Sequence, residues 1–473
     1  MNRHQPEDPP RRIPVQQETP PEKEDISEGL EQAHIQSVID AVEAQDSDQL
    51  NELLEPLHAA DVADLIEQIS QPERMALVEL WGDDIDGEVL SELDESVREP
   101  LLEAMPPEVV AEAIRDLDSD DVVDLVEDLE EEQQARLLEA LEIKDRIGVE
   151  GALSYPEYSA GRLMQRELVA VPEDWSVGQA IDYIRNDESL PGQFYHVILV
   201  SPAMKPVGYI TLGRLLSSRR HVLLTEIIEP SFRTISVTDE EADVAYLFNH
   251  YHMISAPVVD EHGRLAGMIT IDDAMAVLDE EHEEDILRLA GVDEDSSLAD
   301  TVWQTTRARA VWLMVNLVTA ILASVVIGFY ADTIDQMVAL AVLMPIVASM
   351  GGNAGTQTMT VAVRAIATRE LTRRNALRVS WREIKVGAIN GIGFGIVMAL
   401  VAGLWFGIPM LGAVIALAMA FTLVGAALGG IVIPIVLERL NIDPALASGP
   451  FVTTVTDVVG FFAFLGLATL ILL

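Results

Sequence analysis

Two patterns of hydrophobic and polar positions divide the chain near residue 305. Before it, apolar residues recur at the spacings of short helices and strands. After it, apolar runs reach the ~20 residues that a helix needs to cross a bilayer. The sequence therefore predicts a multidomain membrane protein whose soluble half precedes five transmembrane helices, which we place near residues 309–330, 336–366, 386–407, 411–437 and 447–473.

Residues 27–154 have the periodicity of short amphipathic helices separated by turn residues. The segment DVADLIEQI at Asp61 recurs 60 residues later as DVVDLVEDL at Asp121, with apolar side chains on one helical face and carboxylates on the other. This repeat predicts an all-α superhelical N domain with an acidic exterior. Residues 1–26 are rich in Pro, Glu and Gln and lack the apolar core of a secretory signal, so we expect a disordered tail.

Residues 155–278 alternate between strand and helix signals. Gly208 and Gly267 lie 59 residues apart in equivalent places, as do Thr211 and Thr270. This tandem α/β unit resembles a pair of CBS domains, whose repeats end in a hydrophobic–Gly–hydrophobic–hydrophobic–Thr pattern. The resemblance implies a ligand-sensing module with an adenine nucleotide such as ATP as the candidate ligand, whereas the residues themselves support only the fold.

Charge is distributed very unevenly. The chain carries a formal net charge of −48, yet from residue 306 onwards it holds 10 basic and 7 acidic residues. The first 305 residues therefore hold 20 basic and 71 acidic residues, a net −51. Such a surface argues against nucleic acid as a partner and favours cations, although solubility alone remains an alternative explanation. Residues 279–306 begin with a block of acids and predict an acidic helix that connects the soluble half to the membrane.

Basic residues also predict orientation. Seven of them lie at the end of the second span or between it and the third, and the two connections on the opposite side, YADTID and FGIPML, contain none. Because Lys and Arg concentrate on the cytoplasmic side, the soluble half is predicted to be cytoplasmic and the C-terminus outside. The chain has no cysteine, which excludes disulfides, thiolate metal sites and cysteine nucleophiles.

Two segments place polar groups within the predicted membrane. Asp457 lies near the middle of the last span, where an aspartate costs roughly 2.5–3.5 kcal/mol and normally faces a bundle interior or an ion pathway. Neighbouring threonines add oxygens of the kind that hard cations such as Mg2+ prefer, although a merely paired or protonated carboxyl is the alternative. In the second span, GGNAGTQ fits either a kinked, cavity-lining helix or close helix packing, and spacing alone does not decide between them.

These residues together resemble the MgtE family of Mg2+ channels. The resemblance rests on GGNAGTQ, the RAIATREL ending, NIDPALASGPFVTTVTD and the order of domains, and it extends from about residue 27 to the end. It implies a homodimeric Mg2+ channel of the plasma (inner) membrane, with Co2+ and other divalent cations as further candidate ions. By match, the pore residues would be Asp457, Asp443 and Asn353.

The resemblance also implies regulatory Mg2+ sites in the cytoplasmic half. Gly449 and Ala276 depart from the family pattern, so a side-chain ligand at the level of Gly449 is in doubt and one regulatory site is expected to be weaker. The matching regulatory residues are Glu88, Asp120, Asp124, Asp273, Glu281, Glu284 and Asp285.

Other functions stay open at this point. A carrier driven by Na+ or protons would use Asp457 as its ion or proton site, and a non-transporting membrane sensor would signal through the CBS pair. An enzyme is not expected, because the sequence has no nucleophile–base arrangement, no phosphate loop and no His-based zinc spacing.

Overall fold

The computed structural model describes residues 30, 32–127, 129–187, 189–292, 296 and 301–473. The predicted tail, 1–26, and part of the predicted connecting helix lie outside these residues. The chain divides into two compact units, Met1–Ala170 with Asp182–Phe194, and Val171–Ile181 with Tyr195–Leu473.

The N-terminal part of the first unit is entirely helical in the residues that are described. Several helices begin at an aspartate whose carboxylate accepts a hydrogen bond from a backbone N–H of the first turn, as Asp46, Asp86 and Asp94 do. The α-helices are α1 Gln32–Ala44, α2 Ser47–Leu54, α3 Ala59–Gln68, α4 Gln71–Trp81, α5 Gly87–Ser91, α6 Glu95–Ala104, α7 Pro107–Ala113, α8 Ser119–Glu127, α9 Glu131–Ala140 and α10 Ile143–Leu153.

The 60-residue sequence repeat corresponds to α3 and α8. Each helix buries four apolar residues at equivalent positions, and these side chains enter one continuous core. The prediction of an all-helical domain with inward apolar faces is therefore confirmed. The paired positions are Val62 and Val122, Ala63 and Val123, Leu65 and Leu125, and Ile66 and Val126.

Two three-stranded sheets follow, with strand orders β1-β2-β3 and β4-β5-β6. In each sheet the last two strands pair antiparallel, and the register places Leu199 opposite Gly208 and Val258 opposite Gly267. The tandem CBS-like repeat is thus confirmed at residue level. The strands are β1 Val169–Pro172, β2 His196–Val200, β3 Pro206–Thr211, β4 Ile235–Ser236, β5 Ser255–Val259 and β6 Leu265–Thr270, and the helices are α11 Val177–Asn186, α12 Leu212–Ser217, α13 Glu241–Tyr251 and α14 Ile271–Ala290.

His196 is a buried titratable residue of this α/β pair. Its Nδ1 atom hydrogen-bonds to the hydroxyl of Ser255 on β5, and its ring meets the Tyr209 ring edge-on at 4.4 Å. Burial lowers the pKa of His196, and the charge of Glu229 opposes that shift only in part. The folded protein therefore holds His196 neutral at a pH where the unfolded chain already binds a proton.

We expect His196 to make the stability of the protein depend on pH. The unfolded histidine titrates near pH 6.5, so its contribution is fully present above that pH and is lost as pH falls towards the lower folded pKa. Thermal unfolding of the purified full-length protein between pH 5 and 7.5 should show His196→Gln losing less stability on acidification than wild type. Each kcal/mol of difference in the free energy of unfolding should appear as a difference of about 2–4 °C in melting temperature. The control His221→Gln, at an exposed position, should show the same dependence of melting temperature on pH as wild type. The prediction is contradicted if His196→Gln also shows that wild-type dependence.

Five helices in the described C-terminal part are long and apolar enough to cross a membrane. Their positions agree with the predicted spans, although several boundaries differ: the first helix, for example, begins seven residues before the predicted Arg309. The third begins ten residues before the predicted Val386, because the basic segment before it continues the same helix. A short helix also lies in the predicted connection YADTID. The helices are α15 Val302–Gly328, α16 Ala331–Gln336, α17 Ala339–Ala367, α18 Ala376–Phe406, α19 Pro409–Arg439 and α20 Pro444–Leu472.

Helix α19 is the most buried of the five, and glycines let its neighbours approach it closely. A Cβ atom built at Gly430 would lie 2.7 Å from the backbone oxygen of Gly355 on α17, and one built at Gly391 of α18 would lie 2.8 Å from the Cα atom of Ala420. Small residues at such crossings allow backbone contact between membrane helices. The GGNAGTQ segment lies within the continuous helix α17, and its Gly351 and Gly355 pack against α19 and α20 without breaking the helix.

Candidate ion pathway and its cytoplasmic mouth

Asp457 lies in the middle of α20, on a helix that packs against α17 and α19. Thr456 beside it is fully buried, and Gly351 and Gly355 of α17 face this level. A Cβ atom at Gly355 would lie 3.0 Å from Cγ2 of Thr456, and one at Gly351 would lie 3.5 Å from its Cβ. The glycines therefore bring α17 to within contact distance of the helix that carries Asp457.

The carboxylate of Asp457 is half-buried, and no side chain or backbone N–H in the described part of the chain donates a hydrogen bond to it. The nearby threonine hydroxyls are used within α20: Thr453 and Thr454 donate to backbone carbonyls one turn earlier, and Thr456 donates to the carbonyl of Thr453. A carboxylate in hydrocarbon without a donor requires a cation, a proton or a group from another molecule. Asp457 thus has the environment expected of an ion-pathway residue.

Asn353 is placed differently from Asp457. It lies midway between Gly351 and Gly355, which are buried against α19 and α20, and its own side chain is exposed and contacts Ser349 with its Nδ2 atom 3.4 Å from Oγ. Two residues along a helix correspond to about 200° of rotation. Within a single chain, Asn353 therefore points away from the α17–α20 contact and does not converge with Asp457.

Sequence reasoning missed a buried hydroxyl in this region. Thr422 on α19 is fully buried, its Oγ1 has no hydrogen-bond partner, and its methyl group is 2.7 Å from where a Cβ atom of Gly351 would lie. A threonine within an otherwise apolar helix carries little sequence signal of its own. Its position beside Gly351 and Gly460 depends on contacts among three helices.

Asp443, a predicted pore residue, is the N-cap of α20 and lies at the predicted cytoplasmic mouth of the pathway. One carboxylate oxygen accepts the backbone N–H of Ala445 at 2.7 Å and caps the helix. The other lies 3.0 Å from the guanidinium of Arg288 on α14, which also lies 2.8 Å from Glu284. Arg288 therefore links a predicted pore residue to a predicted regulatory residue, and it was not anticipated from sequence.

Apolar contacts hold the end of α14 at the same place. Leu289 packs against a small cluster formed by Met359 and Val363 of α17 and by Ala445 and Val452 of α20. The polar and apolar contacts together dock the last turn of α14 onto the cytoplasmic ends of two membrane helices. A movement of α14 must break both kinds of contact.

Negative charge accumulates on the face of α14 that is turned towards Asp443. The pKa of Asp285 is raised first by burial and then by the charge of Asp443, with Arg288 opposing. The pKa of Glu281 is raised mainly by burial. Arg288 opposes this shift, whereas the charges of Asp285 and Asp443 add to it. The docked arrangement therefore disfavours the ionised form of both groups. A cation bound beside them would offset this cost and stabilise docking.

Three of the four other predicted regulatory residues have local partners. Asp124 forms an ion pair at 2.7 Å with the buried Arg98, Asp120 is buried and accepts the N–H of Asp121, and Glu88 is exposed in the first turn of α5. Asp273 caps α14 by accepting the N–H of Thr270 at 3.1 Å. Over the described ranges, no group of three or more His, Asp or Glu side chains is arranged to hold a metal ion. The structure thus brings Glu281, Glu284, Asp285 and Asp443 to one region but forms no closed metal site from one chain.

Comparison with known families gives matches along most of the chain. Residues 57–158 match the MgtE intracellular N domain, residues 160–221 and 224–280 each match a CBS domain, and residues 344–467 match the MgtE divalent cation transporter family. The membrane match includes Asp443 and Asp457, and the N-domain match includes both copies of the helical repeat.

Curated relatives extend the same similarity. The magnesium transporter MgtE of Thermus thermophilus is 32% identical over 342 residues, covering 71% of this chain and 75% of that protein. The magnesium transporter MgtE of Bacillus subtilis is 28% identical over 332 residues, covering 70% and 74%. A solved structure of the cytosolic domain of the Mg2+ channel MgtE in complex with ATP covers 51% of this chain and 99% of that chain at 28% identity, with a TM-score of 0.48. The chain therefore belongs to the MgtE family of divalent cation transporters and carries the family's N domain and CBS pair.

Proposed function

We propose that this protein is a Mg2+ channel of the plasma membrane that admits Mg2+ to the cytoplasm and is closed by cytoplasmic Mg2+. The observation that carries the proposal is the half-buried carboxylate of Asp457, which lies within a membrane helix without a donor of its own. Mg2+ gives up its water reluctantly and usually keeps several water molecules. One carboxylate facing a hydrated ion therefore suits this cation better than a dehydrating cage.

The pathway requires a second copy of the chain. In one chain, Asp457 and Asn353 do not converge and no closed metal site forms among the described residues. A twofold axis close to α20 would place two Asp457 carboxylates opposite each other, since an isologous interface repeats each residue on both sides. In this proposal the N-terminal half is cytoplasmic and the C-terminus lies outside, as the distribution of Lys and Arg predicts.

Closure is assigned to the acidic face of α14 and the carboxylates of the cytoplasmic half. Without Mg2+, like charges at Glu281, Asp285 and Asp443 repel, and α14 leaves the mouth. With Mg2+, ions bind these carboxylates and the acidic residues of the N domain, and α14 docks on α17 and α20. Each ion favours the closed state only by its differential affinity, and a nearly complete switch needs about 5.5 kcal/mol in total.

An adenine nucleotide in the CBS pair would bias the same equilibrium. A cavity of about 330 Å³ in the second CBS module is lined in part by Phe232, Arg233 and Thr234, which offer an aromatic face, a cation and a hydroxyl. These groups suit a base and a phosphate, and the nucleotide remains a ligand to be tested.

The experiment is recording from excised inside-out patches while cytoplasmic Mg2+ is stepped from micromolar to ~10 mM. We expect unitary inward Mg2+ currents that disappear as cytoplasmic Mg2+ rises. Flux without unitary currents that depends on a Na+ or proton gradient would replace the channel by a carrier that uses Asp457 as its coupling site. Openings indifferent to cytoplasmic Mg2+ would keep the pore and remove the regulatory role of the acidic half.

A further inference from the structure

Arg369 occupies an unusual position at the cytoplasmic end of α17. It follows the C-cap residue Thr368 and has a φ of 57°, in the left-handed region where glycine is the usual residue after a helix. Its N–H donates to the carbonyl of Ile366 at 2.9 Å, which closes the helix end. A long side chain kept in this conformation carries an energetic cost, so its contacts indicate what it contributes.

The side chain of Arg369 reaches α13 of the second CBS module. Its guanidinium forms an ion pair with the carboxylate of Asp243 and lies 4.2 Å from the ring centroid of Tyr246. Asp243 and Tyr246 are three residues apart, which places them on the same face of α13. One cation therefore receives an ion pair and a cation–π contact from one helix turn.

The contacts continue along α13 to the cavity described above. Tyr246 stacks on His250 with centroids 5.3 Å apart, and His250 meets Tyr251 edge-on at 4.8 Å. The guanidinium of Arg233, a residue that lines the cavity, lies 3.8 Å from the centroid of the Tyr251 ring. An unbroken row of packed side chains thus joins the cavity wall to the end of α17.

We propose that Arg369 is a positioning residue that couples the second CBS module directly to α17, in parallel with the coupling through α14. This inference rests on the proposed channel function. Helix α17 is continuous from Ala339 to Ala367, so a displacement at Arg369 is carried over about 24 Å to the level of Asn353. The contact belongs to the closed arrangement, in which α14 is also docked. The CBS pair then acts on the pore at two points, and whatever occupies its cavity adjusts the end of α17.

Charge exchange tests this coupling. Arg369→Glu and Asp243→Arg alone should each raise the cytoplasmic Mg2+ concentration for half closure about three- to tenfold, the ratio that an exposed ion pair and a cation–π contact supply. The double variant should recover most of the shift. Maximal current should stay unchanged, since neither residue lies in the ion pathway. Arg369→Gly keeps the left-handed turn without strain and should shift half closure in the same direction as Arg369→Glu but less, because glycine adds no repulsion towards Asp243; this separates lost contact from misfolding.

The matched control is Arg373→Glu, an exposed cation of the same loop, which should shift half closure less than twofold. Equal shifts for Arg373→Glu and Arg369→Glu, or a double variant no better than the singles, would overturn the proposal in favour of general loop charge.

A second measurement does not depend on current. Because the chain has no cysteine, Asp243→Cys combined with Arg369→Cys provides one pair of thiols in each chain for a short bis-thiol cross-linker. We expect the cross-link in membranes to form more completely at ~10 mM Mg2+ than at micromolar Mg2+. A yield that is negligible or independent of Mg2+ would refute the coupling, even if the patches show a Mg2+-gated channel. Conversely, a Mg2+-dependent yield without unitary currents would reject the channel and keep the contact.

Discussion

Replacing Asp457 by alanine should reduce Mg2+ flux at least about a hundredfold, measured with purified protein reconstituted into liposomes. One unit charge 4 Å from another is worth about 4 kcal/mol at an effective dielectric constant of 20, and a change of 1.4 kcal/mol corresponds to a factor of ten. Asp457 is half-buried in α20 with no donor from the described residues, so its charge is available to a passing cation. Flux is measured with a Mg2+-sensitive dye inside the liposomes.

Two further variants separate charge from shape at this position. Asp457→Asn keeps the size of the side chain and should lose nearly as much flux as alanine, whereas Asp457→Glu should retain a measurable fraction. Asp332→Asn, which removes an acid of α16 outside the five spans, should leave flux within about twofold of wild type. Wild-type flux in Asp457→Ala would contradict both the pore and the carrier interpretations, because each uses this carboxylate.

Local sequence patterns predicted the elements that depend on local periodicity. The repeated segments of α3 and α8 place their apolar residues at the same positions because helical spacing alone decides which side is buried. Gly208 and Gly267 mark equivalent registers in two hairpins for the same reason: the repeat unit is local. Asp457 could be singled out because a carboxylate in an apolar run is conspicuous without any knowledge of its neighbours.

Features that depend on contacts between distant segments could not be predicted in this way. Arg288 looks like an ordinary helix residue until α14 docks beside Asp443, which lies 155 residues further along the chain. Arg369 was counted only as one of seven basic residues that set orientation, although it alone among them contacts Tyr246. The role of Asn353 stays a prediction, because its side chain is exposed in one chain and a pore position at a twofold axis depends on the second chain.

Substitutions at different positions of α14 should shift the Mg2+ dependence of closure in opposite directions. Glu281→Gln combined with Asp285→Asn should close the channel at micromolar Mg2+, where wild type is open. Burial raises the pKa of both carboxyls in the docked arrangement, so neutral isosteres stabilise docking without Mg2+. Their response to added Mg2+ should also be weaker, since two carboxylates that would bind the ion are gone.

Arg288→Gln should have the opposite effect. It removes the cation that links Glu284 and Asp443, and a hydrogen bond to a charged group contributes about 1.5–3 kcal/mol. Closure should therefore require roughly ten times more cytoplasmic Mg2+ than in wild type. Glu283→Gln is the matched control, because this acid lies on the exposed side of the same turn and should change half closure little.

Both predictions are tested by measuring open probability in inside-out patches across the range of cytoplasmic Mg2+ concentrations. If α14 acts as the gate, the neutral variant closes early and the Arg288 variant closes late, with similar single-channel conductance in all. If both variants shift half closure in the same direction, the balance of charge between α14 and Asp443 does not control closure, and the proposed gating role of α14 is contradicted. The opposite signs follow from one geometry: Arg288 is the cation that already offsets part of the negative charge at the mouth, and Mg2+ must supply the rest.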